Sequence, residues 1–135
     1  MIFVQKHIRY KKSLHTLIDN DPPIVKMEAD AGEFFEEEDI RQIREINLKL
    51  SEGKRFCVLL DTTKGYFNVT TEGNKLLASK EYAELRMATA IVARSLATRI
   101  AGNFFIRVNR PPTPTRLFAS EEEAVKWLKG LSLKP

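Results

Sequence analysis

Two hydrophobic periods alternate along this chain. In residues 36–51, Ile40, Ile43, Ile46 and Leu50 recur three or four apart, so they share one face and predict a helix. Glu36–Asp39 crowd its first turn, where the helix dipole favours negative charge. Lys49 lies near the far end, and Gly53 suits the left-handed position just past it. Residues 2–18 read as extended, with Arg9, Lys11 and Lys12 interrupting the alternation. Asp19-Asn20-Asp21-Pro22-Pro23 is a turn, because Asx side chains bond locally to backbone and proline fixes φ. Ile24, Lys26 and Glu28 then alternate with Val25, Met27 and Ala29, the period of a half-buried strand. The segments on either side of the turn are expected to pair antiparallel.

Residues 55–60 (Arg-Phe-Cys-Val-Leu-Leu) are apolar on both faces after the first, as in a central strand covered on both sides. Residues 71–78 predict a short helix carrying Leu76 and Leu77. Ser79 caps a second, longer helix over about 80–101, with Glu81 in its first turn. Leu85, Ala88, Val92 and Leu96 form one line of that helix, alanines surround it, and Gly102 ends it. Small residues on many sides imply close neighbours, either a partner subunit or other elements of the same chain, and of the elements this helix is the expected face of a homodimer. Asn103–Asn109 reads as a strand, with Phe104, Ile106 and Val108 on one face and Phe105 and Arg107 on the other. Arg110–Arg116 contains three prolines and forms a stiff connector to a short edge strand at Leu117 and Phe118. Ser120-Glu121-Glu122-Glu123 is a capping box opening the last helix, which buries Ala124, Trp127, Leu128 and Leu131. Strands alternating with helices after an initial hairpin predict an α/β sandwich with a mixed sheet. Right-handed crossovers would make 55–60 and 103–109 parallel neighbours.

The chain has 135 residues, which fits one domain able to bury a core without a disulfide or metal. The longest unbroken apolar run is five residues, Phe56–Leu60, far short of the about 20 that span a bilayer. No secretory leader pattern is visible, so a cytoplasmic protein that does not insert into a membrane is expected. A single cysteine, Cys57, excludes an internal disulfide framework, and in mid-strand it reads as buried and inert. The net charge is +4, but it is unevenly distributed. Glu28–Asp39 holds seven acids and no base, whereas Arg86–Ser120 holds six arginines with no acid or lysine. Solvated, mutually attracting faces account for this pattern, and few aromatics interleave with the arginines, so nucleic acid is not an expected partner.

The run Ser95-x-x-x-Arg99-Ile100-x-Gly102-Asn103-Phe104-Phe105 is followed by Asn109-Arg110-Pro111-x-x-Pro114-Thr115-x-x-Phe118. Glu123-Ala124-x-x-Trp127-Leu128 comes next. With these motifs the chain resembles a bacterial family of uncharacterised STAS/SpoIIAA-like domains. Gly53-Lys54, Asp61 and Ala78-Ser79-x-Glu81 are similar to that family too, and the likeness runs over about residues 14–131. It implies a SpoIIAA-like sandwich with a four- or five-stranded sheet, related to anti-sigma-factor antagonists and more remotely to CRAL-TRIO-type lipid-binding domains. It also implies a switch loop after the central strand, where a serine or threonine at a helix N-terminus is phosphorylated. That position falls on Asp61, Thr62 and Thr63. Here the loop continues as Lys64-Gly65-Tyr66-Phe67-Asn68-Val69 before the next helix signal, longer than the family's run.

Other candidate chemistry is sparse. Asp61 lies beyond a strand's carboxyl end, where open α/β sheets place their sites, but no histidine accompanies it. His7 and His15 lack a matched carboxylate, so no metal is expected, and no glycine-rich phosphate loop or nucleophile elbow points to a cofactor or an enzyme. Arg107, Arg110, Thr113, Thr115 and Arg116 form a candidate anion-binding rim, since proline would pre-organise them. Asn103 is a candidate helix–strand bridge. Three functions follow in order. The first is a non-enzymatic protein-interaction module of STAS type that self-associates. The second is a carrier of an apolar or anionic-headgroup ligand, with a pocket lined by Phe67, Leu77, Met87 and Ile91. The third is a catalyst, for which no convergent titratable cleft can be assembled.

Overall fold

The computed structural model describes residues 3–132 other than Tyr66. Ile2, the first residue of the expected N-terminal strand, and Tyr66 of the switch loop lie outside the described residues. The elements in order are β1 (Lys6–Tyr10), β2 (Ser13–Asn20), β3 (Pro23–Ala29), β4 (Phe34–Phe35), α1 (Glu37–Leu50), β5 (Phe56–Asp61) and β6 (Asn68–Val69). They continue with α2 (Thr71–Leu77), α3 (Lys80–Ala83), β7 (Arg86–Val92), α4 (Leu96–Asn109), β8 (Thr115–Phe118) and α5 (Glu121–Ser132).

One six-stranded sheet runs β1-β2-β3-β5-β7-β8, and β4 and β6 make a separate parallel pair. The α/β sandwich and the mixed sheet are as expected, with one or two strands more. The chain turns at Lys11 and Lys12, so residues 6–20 form two antiparallel strands rather than one. β2 pairs antiparallel with β3 around the Asp19 turn, where Asp19 Oδ1 accepts from the backbone N–H groups of Asn20 and Asp21. From β3 onward every pairing is parallel. Successive parallel strands are added in one direction, so right-handed crossovers send α1, α2 with α3, and α4 to the same face. α5 follows the last strand and packs on the opposite face.

Each face has its own core. Under α5, Ile24, Cys57, Leu59, Ala88, Ala90 and Val92 meet Ala124 and Leu128, with Trp127 against Phe118 at 5.4 Å between ring centroids. Under α1, Leu17, Val25, Leu50 and Phe56 form one cluster, and Ala29, Phe35, Ile40 and Ile43 form another. The polar start of α1 is tied down by Asp39, which is 4% exposed. It accepts from Tyr10 Oη, from Lys12 Nζ at 2.7 Å and from the Glu36 backbone N–H at 2.8 Å. Burial opposes the charged form, but these donors outweigh it and hold the carboxyl down at about 2. At the far end of α1 the backbone turns left-handed at both Glu52 and Gly53.

The segment 80–109 departs from the sequence pattern. Ser79 does cap a helix, accepting from Tyr82 N–H, but α3 ends after four residues. The expected helix over 80–101 is largely strand β7, and the expected strand over 103–109 is the second half of α4. The parallel neighbour of β5 is therefore β7. Gly102 lies inside α4 rather than ending it, and Asn103 is an exposed mid-helix residue instead of a bridge to a strand. Both findings have a tertiary cause. β7 is made of small residues because α5 presses on one side of it, with Ala88 and Ala90 fully buried. Gly102 is where α4 crosses β8: a Cβ there would stand 2.8 Å from Leu117. Ser95 is the true cap of α4, accepting from Thr98 N–H at 3.1 Å.

Candidate functional site

A largely apolar cavity of about 430 Å³ lies between the β5–β7–β8 part of the sheet and the helices α1, α2 and α4. That volume falls within the range typical of small-molecule sites. Its floor is the sheet face that does not carry α5. Alternation sends Val58, Leu60, Thr62, Thr89, Ile91 and Thr115 to this side, while Cys57, Leu59, Ala90 and Val92 point to α5. α1 contributes Ile40, Ile43, Arg44 and Asn47, the i, i+3, i+4, i+7 face that its spacing predicts. α4 contributes Thr98, Ala101, Gly102 and Phe105, with the exposed Phe104 and Val108 at the cavity edge. Phe67, Leu77 and Ile91 line the cavity as the carrier reading expects. Met87 does not, because it packs in the α5-side core.

The cavity wall carries cations but no acid. Among its described lining residues are two arginines and one tyrosine, with no Asp, Glu, His, Cys or Lys. Arg86, at the start of β7, donates from Nη2 to the Leu77 carbonyl at 3.0 Å and from Nε to Thr113 Oγ1 at 3.3 Å. No carboxylate pairs with it among the described residues. Burial pulls its pKa below the usual arginine value, although a guanidinium stays charged in any protein setting. Arg44 stacks over the Tyr82 ring at 4.8 Å and pairs with no carboxylate among the described residues. Asn47 and Asn74 each leave a buried side-chain oxygen without a hydrogen bond at this wall. Buried polar atoms are normally paired, so these are spare acceptors beside spare positive charge.

The switch loop divides across the sheet. Thr62 is half-buried and lines the cavity. Its hydroxyl donates to the Val92 carbonyl at 2.7 Å and its backbone N–H to the same oxygen at 3.0 Å. Thr63 is exposed, with its N–H on Asp61 Oδ1 at 2.9 Å. Asp61 belongs to an ion cluster on the α5 side, in which Lys26 Nζ lies 3.7 Å from Asp61, 4.0 Å from Glu28 and 2.7 Å from Glu121. The loop leads into β6, so Thr62 and Thr63 are not at a helix N-terminus.

The five rim candidates do not converge. Thr113 receives Arg86, and Thr115 lines the cavity. Arg107 is exposed on α4, and Arg110 is its left-handed C-cap. Arg116 points to the other face, over the Phe118 ring at 5.5 Å. The rim's two threonines thus serve a site whose cations, Arg86 and Arg44, the sequence reading passed over. Arg44 carried a usable signal, since it shares a helix face with Ile40, Ile43 and Asn47. The histidines are structural. His7 Nδ1 bonds Thr16 Oγ1 at 2.9 Å. His15 is fully buried with Nε2 on Ser13 Oγ at 2.7 Å, and burial pushes its pKa down to about 4. No group of three or more metal-ligating side chains occurs among the described residues. Cys57 is buried, and burial raises its thiol to about 11.

Comparison with known proteins places this chain in a family. The model of a domain of unknown function, DUF7793, matches residues 16–132, so the chain belongs to that family. No curated protein matches the chain by sequence. Among solved structures, an uncharacterised protein of the DUF3478 family with a SpoIIAA-like fold, from Shewanella loihica PV-4, is similar. It is 14% identical with a TM-score of 0.52, over 93% of this chain and 92% of that one. At that identity the likeness concerns the fold, which is therefore SpoIIAA-like. No helix among the described residues is long and apolar enough to cross a membrane.

Proposed function

We propose that this domain is a non-catalytic binding module whose cavity takes an apolar molecule bearing an anionic group. The observation that carries this reading is Arg86, a half-buried guanidinium set in an apolar wall with no carboxylate paired to it among the described residues. A buried guanidinium without a counter-charge is unfavourable unless something else supplies one. An anionic headgroup would do so in bidentate fashion, and Asn47 would accept a hydrogen bond from a neighbouring hydroxyl or amide of the ligand.

The test uses the fluorescent probe 8-anilinonaphthalene-1-sulfonate, which joins an apolar ring system to a sulfonate. Titration should give saturable binding to the native protein. Arg86→Met should weaken it about tenfold or more, the worth of one charged hydrogen-bonded contact. Thr89→Trp, which fills the floor of the cavity, should abolish it. Unchanged affinity in both variants, with cooperative unfolding retained, would remove the reading.

A second reading, a STAS-type protein-interaction module with a homodimer among its forms, is favoured by one feature. Thr63 is exposed beside the Lys26–Asp61–Glu121 ion cluster, where a phosphate or an acidic partner would repartition the ion pairs. It predicts that Thr63→Glu changes partner capture while leaving probe binding in the cavity intact.

A further inference from the structure

α4 borders the cavity with Thr98, Ala101 and Phe105 and also carries an exposed apolar stripe, whose second half reaches the cavity edge. Leu96, Ile100, Phe104 and Val108 are 75%, 60%, 65% and 58% exposed. Their four-residue spacing makes one continuous stripe, roughly 18 Å long at 1.5 Å per residue. Only three other large hydrophobics among the described residues are comparably exposed, Phe3, Val4 and Phe34, and none lies on a helix. Arg99, Asn103 and Arg107 recur at the same spacing along one flank of the stripe. Arg94 precedes the helix, and Arg110 closes it. All four arginines are exposed, none pairs with a carboxylate among the described residues, and the whole stretch from Arg86 to Ser120 contains no acid.

From this arrangement we infer that α4 docks the domain on an anionic lipid bilayer, lying flat in the headgroup boundary. The stripe supplies apolar side chains to the acyl region. The arginines lie alongside and at both ends, where their stems can run along apolar surface while the guanidinium groups reach phosphates. Charge decides between this occupant and a second copy of the chain. Packing stripe against stripe would bring two acid-free arginine rows together, which like charge opposes, whereas a bilayer rich in anionic lipid offers negative charge along the full helix. The docking is interfacial and needs no crossing segment. Phe104 and Val108 also border the cavity, whereas Leu96 and Ile100 do not, so changes at Leu96 and Ile100 test the docking separately from whatever fills the cavity.

The experiment is vesicle flotation with phosphatidylcholine alone and with phosphatidylcholine containing phosphatidylserine. The protein should float with the second and not with the first, and added salt should release it. Ile100→Asp and Leu96→Asp should each abolish flotation while leaving thermal unfolding and binding of 8-anilinonaphthalene-1-sulfonate unchanged. Arg99→Gln with Arg107→Gln should weaken it roughly thirtyfold, taking about fivefold for each arginine near the surface. The inference fails if wild type does not float with the anionic vesicles, or if these variants float as wild type does. It fails equally if sedimentation shows a dimer that Ile100→Asp dissociates, which would assign the face to a second copy.

Discussion

Asp39→Asn should cost the fold about 2 kcal/mol at neutral pH, and the cost should disappear in acid. The magnitude follows from the carboxyl's surroundings. Lys12 Nζ, Tyr10 Oη and the Glu36 N–H all donate to one carboxylate that is 4% exposed, and together they hold its pKa at about 2. The drop from the ordinary 3.8 to about 2 corresponds to about 2 kcal/mol of stability. The folded-state pKa is depressed. The contribution is therefore complete above the unfolded value of 3.8 and lost as pH falls through about 2. Asparagine keeps the shape and can still accept from the Glu36 N–H, but it removes the charge. Lys12 is not orphaned, because the Phe34 carbonyl accepts from it at 2.6 Å. The loss should accordingly stay below the roughly 3–5 kcal/mol seen when a fully buried ion pair is broken. Urea unfolding of both proteins from about pH 7 to about pH 2 tests this, with equal m-values as the check that only stability has changed. The gap between the curves should close over the acid range. A gap that stays constant with pH would show that Asp39 acts by shape and neutral hydrogen bonding, and no gap at neutral pH would remove the argument altogether.

Three further outcomes follow from buried groups. His15 is neutral in the fold with its pKa lowered to about 4, so the unfolded chain binds the extra proton first; stability should fall by about 3 kcal/mol as pH drops from 6.5 to about 4, and urea titrations of His15→Gln should lack that loss. Between the loop threonines, Thr62→Glu should destabilise by about 2 kcal/mol or more, because its hydroxyl is committed to the Val92 carbonyl and faces an apolar cavity, whereas Thr63→Glu should change the melting temperature little. Equal effects of the two would contradict the opposite placement of these side chains. Cys57 should resist iodoacetamide in the native protein and react only in step with unfolding, read by mass spectrometry across a urea series; rapid labelling without denaturant would mean that the α5-side core opens.

What the sequence revealed depended on whether local and tertiary forces agreed. Around α1 they do. Ile40, Ile43 and Leu50 sit on one face because the sheet needs an apolar face there, and acids fill the first turn because the dipole favours them. Even there, Asp39 was legible only as one of four acids in a row. Its burial depends on Tyr10 and Lys12, which approach from the first hairpin and leave no mark in the local pattern. The last helix was legible for a similar reason, since Ser120 accepts from Glu123 N–H at 3.2 Å and the apolar residues after it face the core.

At residues 80–109 the two forces disagree, and that segment builds much of the site. Alanine favours helix by intrinsic propensity, so Ala83, Ala88, Ala90 and Ala93 bias the reading toward one long helix. In the fold, Ala88 and Ala90 are small because α5 presses on β7, and Thr89 and Ile91 on its other face line the cavity. The residue-by-residue alternation of buried alanine with cavity-facing Thr and Ile was the signal that outweighed helix propensity. The reverse holds for α4. Phe104, Phe105, Ile106 and Val108 have strand-favouring side chains, yet they occupy a helix that Ser95 starts and that Gly102 lets pass over Leu117. A run apolar on every side suits a buried strand, and it equally suits a helix with a cavity on one side and an apolar partner on the other. Reading it as a strand required its outward residues to be covered by the chain itself. They are not covered, and the misread segment is therefore the one whose apolar surface calls for something outside the chain.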